Sequence, residues 1–371
     1  MAGAGLPAEN TYEETIIIAI RKTLTATAVV GAVLAGSAAC GTVEQLSAGQ
    51  KLDRAFEKLD EEKTLSFEFS LDSDVASLKA LDGPSAPEPG EEMPDEVARL
   101  FRDAKISVTV QSKKPFGESG EKDFDRMAMK VSNPDGQLIE YRVIGDHTYL
   151  RTDAGTLGKA MGTPVPKASD LPPEAGALKK VLEGKWVKID TKEMERLAAE
   201  NGDEPGAEPS PEPTIDAVTQ KKLMKAVRGV VAREVKLKSA GGEDGTERIT
   251  ATAPFRTLAT ELVEELRPLA KKLPPGAELP TDKDLKDAPD AKVRADVTLK
   301  NGELKEVRLD LAKLTENPKV KKLGLVVRMT GGSTPTVPAG ATDLDVEQLM
   351  EGMFGGVGAG ASGPAGPFDG E

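Results

Sequence analysis

Apolar and polar residues alternate one by one over much of the chain. Leu65, Phe67, Phe69 and Leu71 are interleaved with Ser66, Glu68, Ser70 and Asp72. Ile106, Val108 and Val110 are interleaved with Ser107, Thr109 and Gln111, and Met127, Met129 and Val131, then Ile139, Tyr141 and Val143, repeat the pattern. A period of two puts successive side chains on opposite faces of a strand, so each segment predicts a strand with one apolar and one polar face. Asn133-Pro134-Asp135-Gly136 joins two of them as a turn. Further strands are predicted at Thr148–Arg151, Trp186–Ile189, Val235–Lys238, Arg248–Ala253, Lys292–Lys300, Glu303–Leu311 and Leu323–Met329. One wet face is the mark of antiparallel sheet, because parallel strands buried on both faces read apolar throughout.

One hairpin can be specified further. Val293, Ala295, Val297 and Leu299 are all odd-numbered, and so are Val307, Leu309 and Leu311. A two-residue turn at Asn301-Gly302 would set Val297 beside Glu306. A three-residue turn, Lys300-Asn301-Gly302, keeps both apolar sets on one face. The expectation is therefore a type I turn with a bulge and Gly302 in the left-handed conformation.

Helical spacing appears between the strands. Leu52, Ala55, Phe56 and Leu59 make one stripe, and Val97, Leu100, Phe101 and Ala104 another after Pro94. Asp190 with Glu193 reads as a helix start leading to Met194 and Leu197. Leu223, Val227 and Val230 form a stripe, and Leu258, Leu262, Leu266 and Leu269 form the longest, interrupted by Pro268. A short helix is expected at Val346, Leu349, Met350 and Met353. Four stretches lack anything to bury and read as acidic Pro/Gly linkers, loops or tail: Asp82–Glu92, Asn201–Pro213, Leu273–Asp290 and Gly355–Glu371. The fold class that follows is α+β: a curved, mostly antiparallel half-barrel sheet covered by helices.

Before the first stripe the pattern changes again. Arg21 and Lys22 are followed by the uncharged run Thr23–Ala39 and then Cys40, with an apolar middle at Ala26–Leu34. A basic pair, an apolar stretch and small residues before a cleavage point make a secretory signal. Leu34-Ala35-Gly36-Ser37-Ala38-Ala39 ahead of Cys40 resembles the bacterial lipobox, with Ser37 where Leu is commonest. That resemblance implies a diacylglycerol on Cys40 and a lipid-anchored protein on the outer face of the cell membrane. An uncleaved anchor is the competing reading, but the run would span roughly 26 Å as a helix, marginal for a bilayer core. Met1–Ile20, with Glu9, Glu13 and Glu14, fits neither reading and suggests a start assigned too far upstream. The expected organisation is a signal over 1–39, a lipid-anchored tether over 40–48, the sheet-and-helix domain over 49–330, and a short helix with a Gly-rich tail over 331–371. A subdivision of the domain near 201–213 is left open.

Composition narrows the chemistry. Of 371 residues, 37 are glycine and 26 proline, in keeping with long loops, and the net charge is −13. Removing three acids and two bases with the signal leaves the rest acidic, a surface that nucleic-acid phosphates would repel. There is one cysteine, so an internal disulfide is excluded and lipid attachment accounts for its presence. The single histidine, His147, stands beside Asp146. It reads as a general base or, with no Ser or Cys partner, as an exposed turn histidine, and the second reading is favoured. No phosphate loop, zinc spacing, nucleophile elbow or dinucleotide fingerprint occurs. The chain therefore reads as non-enzymatic and without a cofactor.

The opening helix, the strand Ser66-Phe67-Glu68-Phe69, the stretch Val143-Ile144-Gly145-Asp146-His147-Thr148-Tyr149-Leu150-Arg151 and the stretch Gly184-Lys185-Trp186-Val187-Lys188-Ile189-Asp190 together resemble actinobacterial lipoproteins of the LolA-like superfamily, the LppX–LprG group. The similarity covers roughly 46–330. It implies a half-barrel of antiparallel strands, closed on its open side by helices, with an apolar cavity for acyl chains. Candidate lining residues are Phe67, Phe69, Met127, Met129, Tyr141 and Trp186; methionine in particular adapts to irregular apolar ligands. Ordinary core packing is the competing reading for all six. The function expected is binding or carriage of a lipid or other apolar ligand, with the membrane as partner through the anchor. The alternative is an envelope interaction or sensor lipoprotein with no small ligand.

Overall fold

The computed structural model describes residues 43–82, 93–162, 165, 168–171, 176–190, 217–272, 279–315 and 317–344. Cys40, the helix expected from Asp190 onward and that at Val346–Met353 lie outside them. The chain divides into two compact units, one holding residues up to Lys58 and Glu212–Leu304, the other Leu59–Pro211 and Lys305 onward. Each is α+β with antiparallel sheet, as the alternation requires. Among the described residues no helix is long and apolar enough to cross a membrane.

The first unit contains α1 (Val43–Glu61, up to Lys58), then α6 (Ala217–Glu234), β7 (Lys236–Gly241), β8 (Thr246–Pro254), α7 (Phe255–Leu266), α8 (Asp282–Asp287) and β9 (Lys292–Lys300). Its strands lie in the order β9-β8-β7. The core is filled. Ile249, Val297 and Leu299 of the sheet are fully buried, as are Leu52 and Ala55 of α1 and Val230 and Val231 of α6. Helix α1 is fixed over this sheet by Lys51–Glu247 (2.8 Å) and by Lys58 Nζ donating to the Asn301 carbonyl (3.4 Å). Arg233 ties α6 to Glu261 of α7 (3.0 Å). Helix α8 falls within a stretch expected to be loop. Thr281 and Asp284 cap its start reciprocally, a local signal that the high acid and proline content of the stretch concealed.

The second unit contains β1 (Thr64–Ser73), α2 (Val75–Lys79), α3 (Asp95–Asp103), β2 (Lys105–Ser112), β3 (Phe124–Asn133), β4 (Gly136–Ile144), β5 (His147–Thr152), α4 (Ala154–Met161), α5 (Gly176–Leu182), β6 (Val187–Asp190), β10 (Glu303–Asp310, from Lys305), β11 (Leu323–Met329) and β12 (Thr342–Asp343). The strand order is β12-β6-β5-β4-β3-β2-β1-β11-β10, antiparallel except for the β12–β6 pair. Strand β1 lies between β2 and β11 although β11 comes some 250 residues later, so closing this sheet brings distant parts of the chain together. The β3–β4 turn forms because Asn133 Oδ1 accepts from the amides of Asp135 (3.0 Å) and Gly136 (3.1 Å). Asp74 and Asp153 cap α2 and α4 in the same manner, from Ser77 N (2.7 Å) and Thr156 N (2.9 Å).

The hairpin turn after β9 differs from the expectation. Gly302 is left-handed, with φ 73°, but Asn301 is left-handed too, at 53°. Two successive positive φ values make a two-residue type I′ turn, not a three-residue turn with a bulge. The parity argument failed because β10 does not alternate strictly: Leu304 and Val307, three residues apart, are both buried.

Candidate functional site

The site begins with the register of the second unit's sheet. Phe67 pairs with Met329 on one side and Val108 on the other. Val108 pairs with Met129, Met129 with Tyr141, Tyr141 with Leu150, and Leu150 with Val187. Directly paired residues share a face, so these seven side chains form one continuous row across β11-β1-β2-β3-β4-β5-β6. A parallel row runs Val327, Phe69, Ile106, Val131 and Ile139, and a third runs Leu65, Val110, Met127, Val143 and Thr148. None of these positions carries an acid, a base or a histidine.

Burial across the face is graded. In the third row Val110, Met127 and Thr148 are closed off, at 4%, 9% and 2% exposure, while Leu65 and Val143 are half-buried. In the first row Met329, Phe67, Val108, Met129, Tyr141 and Leu150 are all half-buried, and only the terminal Val187 is fully enclosed. In the second row Phe69, Val131 and Ile139 are half-buried and Ile106 reaches 39%. The face is therefore a shallow apolar trough, partly exposed in all three rows and most exposed at Ile106. The first unit shows what the same kind of alternating strand looks like when packed: Ile249, Val297 and Leu299 have almost no exposure. In contrast, six apolar side chains of the first row remain partly exposed.

Five of the six residues singled out from the sequence lie on this face: Phe67, Phe69, Met127, Met129 and Tyr141. Phe67 and Phe69 also approach each other, with ring centroids 6.3 Å apart. Trp186 does not join them. Val187 and Ile189 face the trough, through Leu150 and Thr148, so Trp186 has the opposite parity. Its ring lies under the guanidinium groups of Arg142 (4.7 Å) and Arg151 (5.1 Å), side chains of the polar face. The parity of Val187 and Ile189 in the sequence carried this signal.

The polar face is a built structure. Glu140 accepts from Arg142 (2.5 Å), Arg151 (3.1 Å) and Gln137 (3.0 Å) around Trp186. A second charged ladder runs across four strands: Lys105 and Arg328 meet Glu68 (3.7 and 3.5 Å), Arg328 meets Glu306 (2.8 Å), and Arg308 and Lys322 meet Asp72 (both 2.5 Å). The Lys322 hydrogen bond, with Arg308 adding its charge, holds the Asp72 carboxyl below its usual range. Beyond β11 the chain crosses this same face as a strap. Thr330 N donates to Ser66 O (2.9 Å), Arg126 donates to Pro335 O (3.1 Å) and Arg142 to Thr336 O (2.6 Å). Pro335, Pro338 and Leu344 are buried, and β12 then adds to the edge of β6. Sequence reading placed residues 331–371 in a helix and tail and did not anticipate this attachment. His147 sits on the polar face at the start of β5, its ring 6.3 Å from that of Tyr149.

No family model matches the sequence, and no curated protein matches it. Among solved structures the chain is similar to the lipoprotein LppX of Mycobacterium tuberculosis, with 11% identity and a TM-score of 0.27, over 76% of this chain and 92% of that one.

Proposed function

We propose that this chain is a non-enzymatic protein, lipid-anchored on the extracytoplasmic face of the cell membrane, that holds an apolar ligand in the trough of its second unit. The observation that carries the reading is the single row Met329–Phe67–Val108–Met129–Tyr141–Leu150, half-buried throughout and free of charge. Water against such a surface is expelled favourably, at about 25 cal/mol for each Å² covered. The ionic ladders of the opposite face serve cohesion and solubility, leaving binding to the apolar side. Anchoring rests on the pattern Arg21–Ala39 followed by Cys40.

Two experiments test the two halves. Native mass spectrometry of protein purified from membranes should show bound apolar mass that organic extraction removes. A Met129→Lys variant, with a charge in the middle of the row, should carry little of it. Protein without adduct that also fails to take up a fluorescent fatty acid ends the ligand reading. For the anchor, labelled palmitate should enter the wild-type chain and not a Cys40→Ala variant; equal labelling or equal membrane retention ends that half.

A further inference from the structure

The first unit carries a sheet face whose charge is opposite to that of the chain. In β7, β8 and β9 even-numbered residues pair with even-numbered ones: Lys236 with Thr252, Thr252 with Arg294, Arg248 with Thr298, Pro254 with Lys292. Paired residues share a face. The odd positions Leu237, Ile249, Ala251, Val297 and Leu299 are buried in the core. The even positions form the outer face. Its thirteen residues hold six bases, Lys236, Lys238, Arg248, Lys292, Arg294 and Lys300, against one acid, Asp296. The whole chain has 49 bases against 62 acids, so this face reverses the sign of the rest.

All six bases are exposed. Asp296 is committed to its neighbours on the face, accepting from Thr250 Oγ1 (2.6 Å) and Arg294 (2.9 Å). At about 3.4 Å per residue and about 4.8 Å per strand spacing, the face measures roughly 27 Å by 10 Å. Bases spread over such an area do not converge on one small anion. They suit an extended anionic surface.

The start of α1 says which surface is within reach. The helix begins at Val43, and Ala48 is already fully buried in the first unit. Only Gly41 and Thr42 separate the helix from Cys40. Three peptide steps reach at most about 10 Å. An acyl group on Cys40 therefore keeps this unit close to the bilayer, at a distance comparable to the Debye length of about 8 Å at physiological salt. At that range each lysine or arginine facing anionic lipid favours association about fivefold, while the acids elsewhere on the chain are screened.

We infer that the outer face of β7, β8 and β9 docks on the anionic phospholipid headgroups of the membrane that carries the anchor. The choice of lipid as partner rests on the anchor reading; the charge of the face does not.

The test uses the mature chain with Cys40→Ala, so that no acyl group contributes, and vesicles of phosphatidylcholine with or without phosphatidylglycerol. Sedimentation should show binding only where phosphatidylglycerol is present, weakening as salt rises. Lys236→Gln, Lys238→Gln and Lys292→Gln together should reduce it about a hundredfold, at about fivefold each. Lys113→Gln, Lys122→Gln and Lys159→Gln make the same change in net charge on the second unit and should leave binding nearly intact. All six lysines are exposed, so neither triple variant disturbs the core. Equal loss in both triple variants overturns the inference, as does equal binding to pure phosphatidylcholine. Binding to polyphosphate or DNA but not to vesicles overturns it as well and gives the face to another polyanion. Palmitate labelling of the wild-type chain keeps the two readings apart. A chain that takes no label fails the anchor and takes the docking with it. A labelled chain whose Cys40→Ala form ignores anionic vesicles fails the docking alone.

Discussion

Gly332 lies directly against Ser66. A β-carbon at position 332 would stand 2.6 Å from Ser66 Cβ and 3.1 Å from Thr109 Oγ1. Those two hydroxyls also bond each other (2.9 Å) across β1 and β2. The strap leaves β11 here and can lie flat on the polar face only because residue 332 has no side chain. Gly332→Ala should push the strap off Ser66 and lower stability by about 1–3 kcal/mol, the usual cost of overfilling a tight contact. Ser66→Ala in the same background should recover part of the loss. Urea unfolding of the single and double variants checks this, and equal stability of Gly332→Ala and the parent would refute it.

Arg142 joins three parts of the second unit: Glu140 beside it, the Trp186 ring, and the Thr336 carbonyl of the strap. Arg142→Ala should cost about 1–2 kcal/mol through the lost cation–ring contact alone, and loosen the strap. The chain has one tryptophan, so its fluorescence reports the site directly. Emission should shift to the red as solvent reaches the ring. Arg142→Lys keeps the charge but not the forked geometry and should fall between the two. An unshifted spectrum in Arg142→Ala would show that the strap holds without it.

What could be read in advance depended on whether the causes were local. Strands such as Ile106–Val110 and Met127–Val131 declared themselves because one face is apolar and one polar, and neighbouring residues suffice to show it. The same parity put five of six chosen residues on one face and, applied to Val187 and Ile189, would have removed Trp186 from the set. The strap was illegible because its attachments are long-range: the carbonyls of Pro335 and Thr336 accept from Arg126 and Arg142, with nothing in residues 331–344 to announce it. Helix α4 was missed because Gly155 and Gly158 spoil its pattern; the Asp153 cap and the left-handed Gly162 define it instead. That the first row of the apolar face is only half-buried could not be read at all, since alternation looks the same over a full core.

The turn after β9 separates two kinds of substitution. Both Asn301 and Gly302 have positive φ, which L-residues other than glycine and asparagine resist by roughly 1–2 kcal/mol. Gly302→Val should lose at least that much, as should Asn301→Val, whereas Asn301→Gly should be close to neutral. A three-residue turn would have left position 301 with negative φ and made Asn301→Val harmless. Thermal unfolding of the three variants decides between the turns on stability alone.

Asp72 carries a pH dependence of definite sign. Its pKa in the folded protein lies below the ordinary 3.8, because of the Lys322 hydrogen bond first and the charges of Lys322 and Arg308 after it. Stability from this site is therefore complete above 3.8 and disappears as pH falls through the lower, folded value. Asp72→Asn should be less stable than the parent at pH 7 and should approach it in acid. A stability difference that stays constant from pH 7 down to the acid transition would remove the ionised carboxylate from the explanation.

Asp53 has the opposite sign. It lies on α1, next to the fully buried Leu52, with Oδ1 buried and without a hydrogen-bond partner among the described residues. Burial raises its pKa first, and Glu57 adds to the rise, while Arg228 on α6 opposes both. An acid whose pKa is raised by folding costs nothing while both states are protonated. The penalty appears as pH rises above the ordinary 3.8 and is complete above the folded value. Asp53→Asn removes the ionisation at the cost of the Arg228 attraction, and desolvation is the larger of the two effects. The variant should therefore melt higher than the parent at pH 7, with the gain shrinking toward zero below the ordinary carboxylate range. Melting curves at pH 7 and in acid test the sign: a variant less stable at pH 7 would mean that Arg228 outweighs burial, and that this carboxylate helps to hold α1 against α6.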